Sequence, residues 1–143
     1  MKEHFLERIS ALRGRKMKLR YLDLVNDKIN KLTVDGDTIY VIYKDSDYKK
    51  VIEKVGEHES VNFFHDDGTF FCPMDNVNVP KHVLVEDPEE LVRRYENLKF
   101  PRILFEDPVV KWNGWECGSY VRIERGRGEI FYRHLYCSEH APF

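Results

Sequence analysis

A chain of 143 residues has the length of one ordinary domain, and such a chain buries roughly 68–70% of its unfolded surface, enough for a core without metal or disulfide. A composition of 42% hydrophobic and 34% charged residues excludes a disordered tract, and no run approaches the ~20 apolar residues of a membrane span. The formal charge of −2 gives no overall attraction to nucleic acid or to an anionic membrane, so any such binding falls to a local patch.

The opening residues, Met1 to Phe5, lack the apolar stretch of a signal peptide, and a cytoplasmic location is expected. Gln is absent and Ala occurs only at Ala11 and Ala141, which fits a heat-adapted archaeal or viral source. The Asn residues, among them Asn26, Asn30 and Asn62, fit a small protein of a mesophile equally well.

Phe5, Leu6, Ile9 and Leu12 recur at helical spacing, so residues 3–13 read as an amphipathic helix stopped by Gly14. Met17 to Tyr21 alternates like a strand. Asp35-Gly36-Asp37 between Lys31–Val34 and Thr38–Tyr43 is a hairpin signal. The run Ile39–Tyr43, apolar on both faces, suits a central strand. A second helix is expected from Asp45-Ser46 to Gly56, with Tyr48, Val51, Ile52 and Val55 on its buried side. Two short strands, Val61–Phe64 and Thr69–Phe71, follow around His65-Asp66-Asp67-Gly68, and then a loop from Pro73 to Pro80.

Val83–Val85 reads as a strand leading into Asp87-Pro88, a recognised helix start. Leu91, Val92, Tyr95 and Leu98 form that helix's stripe, and Ile103–Phe105 forms the next strand. The chain closes on a hairpin, Ser119–Arg125 and Glu129–Tyr136 around Gly126-Arg127-Gly128. A three-residue loop with left-handed Gly128 sets Ile123 opposite Phe131 and Arg122 opposite Tyr132. A two-residue loop would instead set Glu124 against Glu129, two like charges. The expected fold is a single α+β domain over 1–143, a mostly antiparallel sheet of several hairpins with about three helices.

Three constellations carry candidate chemistry. The first is the polar face of the terminal hairpin. Tyr120, Arg122, Tyr132, Arg133, His134 and Tyr136 offer stacking surfaces and phosphate donors to nucleic acid. They serve equally as anchors for a protein partner. The bland alternative is that a helix covers this face. The second constellation is a set of carboxylates at strand ends: Asp45, Glu86, Asp87, Glu106 and Asp107. Asp87, Glu106 and Asp107 could hold Mg²⁺ for a nuclease or phosphodiesterase, with Lys111 stabilising charge and His65 moving a proton. The simpler reading makes Asp45 and Asp87 helix N-caps. The third is a zinc set of Cys72, Cys117, Cys137 and His140, with Cys137-x-x-His140 at ligand-like spacing. A disulfide or inert thiols are the alternatives.

Trp112-Asn113-Gly114-Trp115 reads as a turn whose rings fold back onto the core rather than contact a ligand. The leading expectation is a non-enzymatic binding domain without cofactor or membrane contact. The metal-dependent nuclease is second, and a structural module or homodimer is third.

Overall fold

The computed structural model describes residues 2–24, 34–57, 59–96 and 99–137. The fold over these residues is α+β, as the sequence predicts, with four α-helices and two sheets. Among the described residues no helix is long and apolar enough to cross a membrane.

Helix α1 (Glu3–Arg13) buries Phe5 and Ile9 and closes on Gly14 at a φ of 71°, the left-handed cap that glycine adopts without a Cβ clash. Strands β1 (Lys18–Leu22), β2 (Thr38–Ile42) and β3 (Phe63–His65) form the first sheet, and α2 (Asp45–Val55) connects the last two. Every residue of β2 is buried, because each face of the sheet meets a helix. Ile39 and Val41 pack with Phe5 and Ile9 of α1, and Tyr40 and Ile42 with Val51 of α2.

All three of these strands run parallel, with β2 in the centre, so the expectation of a mostly antiparallel sheet fails in this half. Asp35 does turn the chain into β2, its Oδ1 accepting from the Asp37 amide at 2.9 Å. The strands beside β2, however, are β1 and β3. Of the predicted first hairpin arm, Lys31–Val34, the first three residues lie outside the described residues and Val34 is not in a strand. The predicted strand Thr69–Phe71 also gives way. His65 Nδ1 accepts from the Asp67 amide at 3.1 Å and bends the chain into a 3-10 turn over Asp66–Thr69, which leaves Phe70 and Phe71 exposed.

The second sheet holds β4 (Lys81–Leu84), β5 (Arg102–Ile103), β6 (Tyr120–Glu124) and β7 (Ile130–Leu135), in the order β4-β6-β7-β5. It is mixed: β6 is antiparallel to both neighbours, while β5 and β7 are parallel. The terminal hairpin keeps the predicted register, Arg122 opposite Tyr132 and Ile123 opposite Phe131. The Arg125 amide donates to Glu129 O at 2.9 Å. Gly128 is left-handed as expected, and so is Arg127. Helix α3 (Pro88–Arg94) starts at the predicted cap, Asp87 Oδ1 accepting from the Glu90 amide at 3.1 Å. It ends before Leu98, a predicted stripe residue that lies outside the described residues.

The fourth helix, α4 (Pro108–Asn113), replaces the predicted turn at Trp112-Asn113. Asp107 caps it through the Val109 amide at 2.9 Å, and Gly114 at a φ of 70° ends it. Its six residues reach the α1 side of the first sheet and the core of the second sheet. Trp112 meets Phe5 edge-on with centroids 5.0 Å apart, while Val110 packs with Ile103, Val121 and Leu135. Arg13 fastens the junction. Its Nη2 donates to Val61 O at 2.8 Å and to Lys111 O at 2.6 Å, and its Nη1 donates to Asn62 Oδ1. A Cβ on Gly114 would lie 2.7 Å from Arg13 Nε.

Truncating Trp112 removes a large ring shared by α1, β3 and α4, so Trp112→Ala is expected to cost about 3–5 kcal/mol. Gly114→Ala, strained at positive φ and pressed on Arg13, is expected to cost about 1–3 kcal/mol. Val92→Ala on the exposed side of α3 should stay within about 0.5 kcal/mol. Urea unfolding followed by circular dichroism measures all three.

Candidate functional site

Strand alternation divides the terminal hairpin into two faces. Val121, Ile123, Phe131 and Leu135 point one way, and α4 covers the end of that face with Val110. Tyr120, Arg122, Tyr132, His134 and Tyr136 point the other way. Arg133, chosen with them from the sequence, belongs to the first face. It pairs in register with Val121 and carries its guanidinium 5.9 Å from the Phe131 ring centroid.

The polar face is partly covered. Tyr120 stacks on His134 with centroids 4.3 Å apart, and Phe100 meets the edges of Tyr120 and Tyr132. Tyr95, just beyond α3, closes against Phe100. Arg102 lies over the Tyr136 ring at 3.9 Å. Burial lowers the pKa of His134, a hydrogen bond from the ring to the Gly118 backbone opposes this, and Arg102 acts in the same direction as burial. The sequence reading missed Phe100. Its only signal was an aromatic residue beside Pro101, with no periodic neighbour to mark a face.

What stays open is a groove of 430 Å³ between α3 and the sheet, which Arg122, Tyr132, Arg94, Glu86, Asp87 and Glu90 help to line. Arg122 Nη2 lies 2.8 Å from Glu124 Oε1, and its Nε is buried without a hydrogen-bond partner. Arg125 and Arg127 stand exposed at the hairpin tip, Arg125 over Phe131 at 5.2 Å. The groove presents charges of both signs beside an aromatic edge.

The carboxylates do not gather. Asp87 follows β4 and Asp107 follows β5, the opposite edges of a four-stranded sheet, three strand spacings or about 14 Å apart. Each is occupied as a helix cap. Asp45 is not the cap of α2. Lys44 holds that position, and Asp45 instead accepts from His65 Nε2 at 2.5 Å. With Nδ1 accepting from the Asp67 amide, both ring nitrogens of His65 are hydrogen-bonded within the protein. Lys111 is only 5% exposed and donates to Tyr48 Oη at 2.5 Å, out of reach of a phosphate.

Nor does the zinc set form. Cys117 and Cys137 are joined in a disulfide with Cα atoms 5.6 Å apart. Cys72 is buried with the first core, and His140 lies outside the described residues. Among the described residues, no three His, Cys, Asp or Glu side chains group to hold a metal ion.

Lys111 does leave a measurable mark. Burial pulls its pKa down from 10.5 to about 8, Arg13 adding to the effect and Glu106 opposing it. The unfolded chain therefore holds more protons than the folded one between about pH 8 and pH 10.5, and stability rises with pH across that window. Burial and Glu106 raise the Tyr48 pKa, so its opposing loss of stability begins only above its ordinary value of 10.0. Stability is expected to climb from pH 8 to pH 10 by about 2 kcal/mol. Lys111→Met should flatten that climb in urea titrations at stepped pH.

Residues 72–136 match the family model for RNA polymerase Rpb5, C-terminal domain. The match spans α3, α4 and the whole second sheet, just under half of the chain. No curated protein matches the chain. The second sheet with its helices is therefore similar to a domain of an RNA polymerase subunit.

Proposed function

We propose that this chain is a small non-enzymatic binding module that joins an RNA-polymerase-type assembly through its second sheet. The carrying observation is the match of residues 72–136 to the Rpb5 C-terminal domain. It falls on the part of the chain that also holds the open groove and the arginine tip. The groove favours a protein partner over nucleic acid. Glu86, Asp87 and Glu90 line it beside Arg94 and Arg122, and carboxylates so placed repel a phosphate backbone while matching a partner's mixed charges.

In this reading Arg122 and Tyr132 make the central contact. Arg125 and Arg127 steer the approach, and Tyr120, His134 and Tyr136 stiffen the sheet beneath. Arg133 contributes from the other face, beside Phe131. We read residues 2–137 as one folding unit, because Trp112 of the matched segment is built into the core of the first sheet.

Co-purification of the tagged full chain with RNA polymerase from its own source tests the proposal. The wild type is expected to remain bound at moderate salt. Arg122→Glu, at a half-exposed position, is expected to weaken retention by about tenfold. Absence of polymerase from the wild-type eluate, or equal retention of Arg122→Glu, would overturn it. Salt-sensitive binding to single-stranded DNA that Arg122→Glu abolishes would transfer the site to nucleic acid.

A further inference from the structure

The hairpin face that meets α4 is covered only at one end. Val110 packs with Val121, Ile123 and Leu135, while Phe131, opposite Ile123 in register, remains 38% exposed. Two guanidiniums gather on this ring, Arg125 at 5.2 Å from its centroid and Arg133 at 5.9 Å. Arg127 stands exposed at the tip, two residues beyond Arg125. Its φ of 69° is left-handed, a conformation in which glycine escapes the clash that a side chain brings. Folding alone would favour glycine there.

The charge of this patch is not cancelled. Elsewhere cations meet carboxylates: Lys2, Arg8, Arg15, Arg94 and Arg122 each lie within 3.4 Å of one. Among the described residues, Arg125, Arg127, Arg133 and the nearby Glu129 form no ion pair. Arg133 Nη1 donates to Tyr132 O at 3.0 Å, a neutral acceptor. Glu124 belongs to the other face, where Arg122 and Lys81 hold it. Glu129 lies opposite Arg125 across the loop, so three positive charges meet one negative. An aromatic ring attracts a guanidinium without neutralising it, which leaves the patch ordered and still cationic.

We propose that the tip of the terminal hairpin, on the face opposite the groove, binds single-stranded nucleic acid. The three guanidiniums take phosphates. Phe131 and the guanidinium planes beside it offer stacking surfaces to unpaired bases. The bases of a duplex are already stacked and leave only their phosphates to this surface. An acidic protein segment matches the charge but brings no base to stack. The surface is separate from the groove, and its test needs no polymerase.

Fluorescence anisotropy with the full chain uses three probes: a single-stranded RNA of about twenty nucleotides, the same strand paired in a duplex, and polyglutamate. The single strand is expected to bind most tightly. Its affinity should fall about 20-fold between about 50 and about 200 mM salt, the dependence set by three phosphate contacts. Arg125→Ser with Arg133→Ser should weaken binding by about tenfold or more. Phe131→Leu, which keeps both charges, should weaken it by about fivefold. Arg127→Gly should weaken it by about threefold, while the melting temperature holds or rises because the left-handed strain is relieved. Arg15→Ser, far from the hairpin, should leave it within about twofold. No binding of the single strand at the lower salt would overturn the proposal, as would duplex or polyglutamate bound as tightly. Binding unchanged in the double arginine variant would overturn it too. So would a lowered melting temperature in Arg127→Gly with binding intact, since the side chain would then serve the turn alone.

Discussion

The guanidinium of Arg13 stands where the end of α1, the turn before β3 and the last turn of α4 meet. Three acceptors on these separate stretches, Val61 O, Asn62 Oδ1 and Lys111 O, take its protons. Burial pulls its pKa down to about 10, with Arg15 adding to the effect, and a charge so placed is tolerated only while those acceptors stay in position. The two sheets therefore cannot drift apart without stranding a cation. Gly114 belongs to the same constraint, since the space a methyl group would fill is taken by the Arg13 side chain.

Around that junction the two halves solve burial differently. The first sheet is parallel and takes a helix on each face, which is why β2 is buried throughout rather than alternating. The second sheet has α4 over one end of one face, with α3, Tyr95 and Phe100 on the other. Its arginines and tyrosines are left half covered, along a groove rather than across an open plane. With almost no net charge on the chain, recognition depends on such local arrangements of both signs.

How much of this was legible in the sequence follows the range of the forces involved. The terminal hairpin, down to its register, was readable because Glu124, Glu129 and the glycines that decide it lie within a few residues of one another. The capped start of α3 was readable for the same reason. The parallel pairing of β2 was not, because nothing near Thr38–Ile42 records which distant strand will lie alongside. Helix α4 is too short for a periodic pattern, although Asp107-Pro108 repeats the Asp87-Pro88 start of α3 and was its true signal. The composition of the candidate face was likewise plain, while its partial cover by Phe100 depends on packing that no local pattern encodes. Asp45 illustrates the converse: a residue suited to capping was drawn to His65, a partner twenty positions away.

Trp112 has a consequence for modularity. The matched segment begins at Cys72, yet its own helix places that indole among Phe5, Ile9 and Phe64. Severed at residue 72, the segment would surface with a bare tryptophan. Transplanted onto another protein, it would need a borrowed apolar lid. The second sheet resembles a portable part, but here it is grafted: the first sheet serves as its roof, and a host that replaced that roof would have to supply a pocket for one large ring.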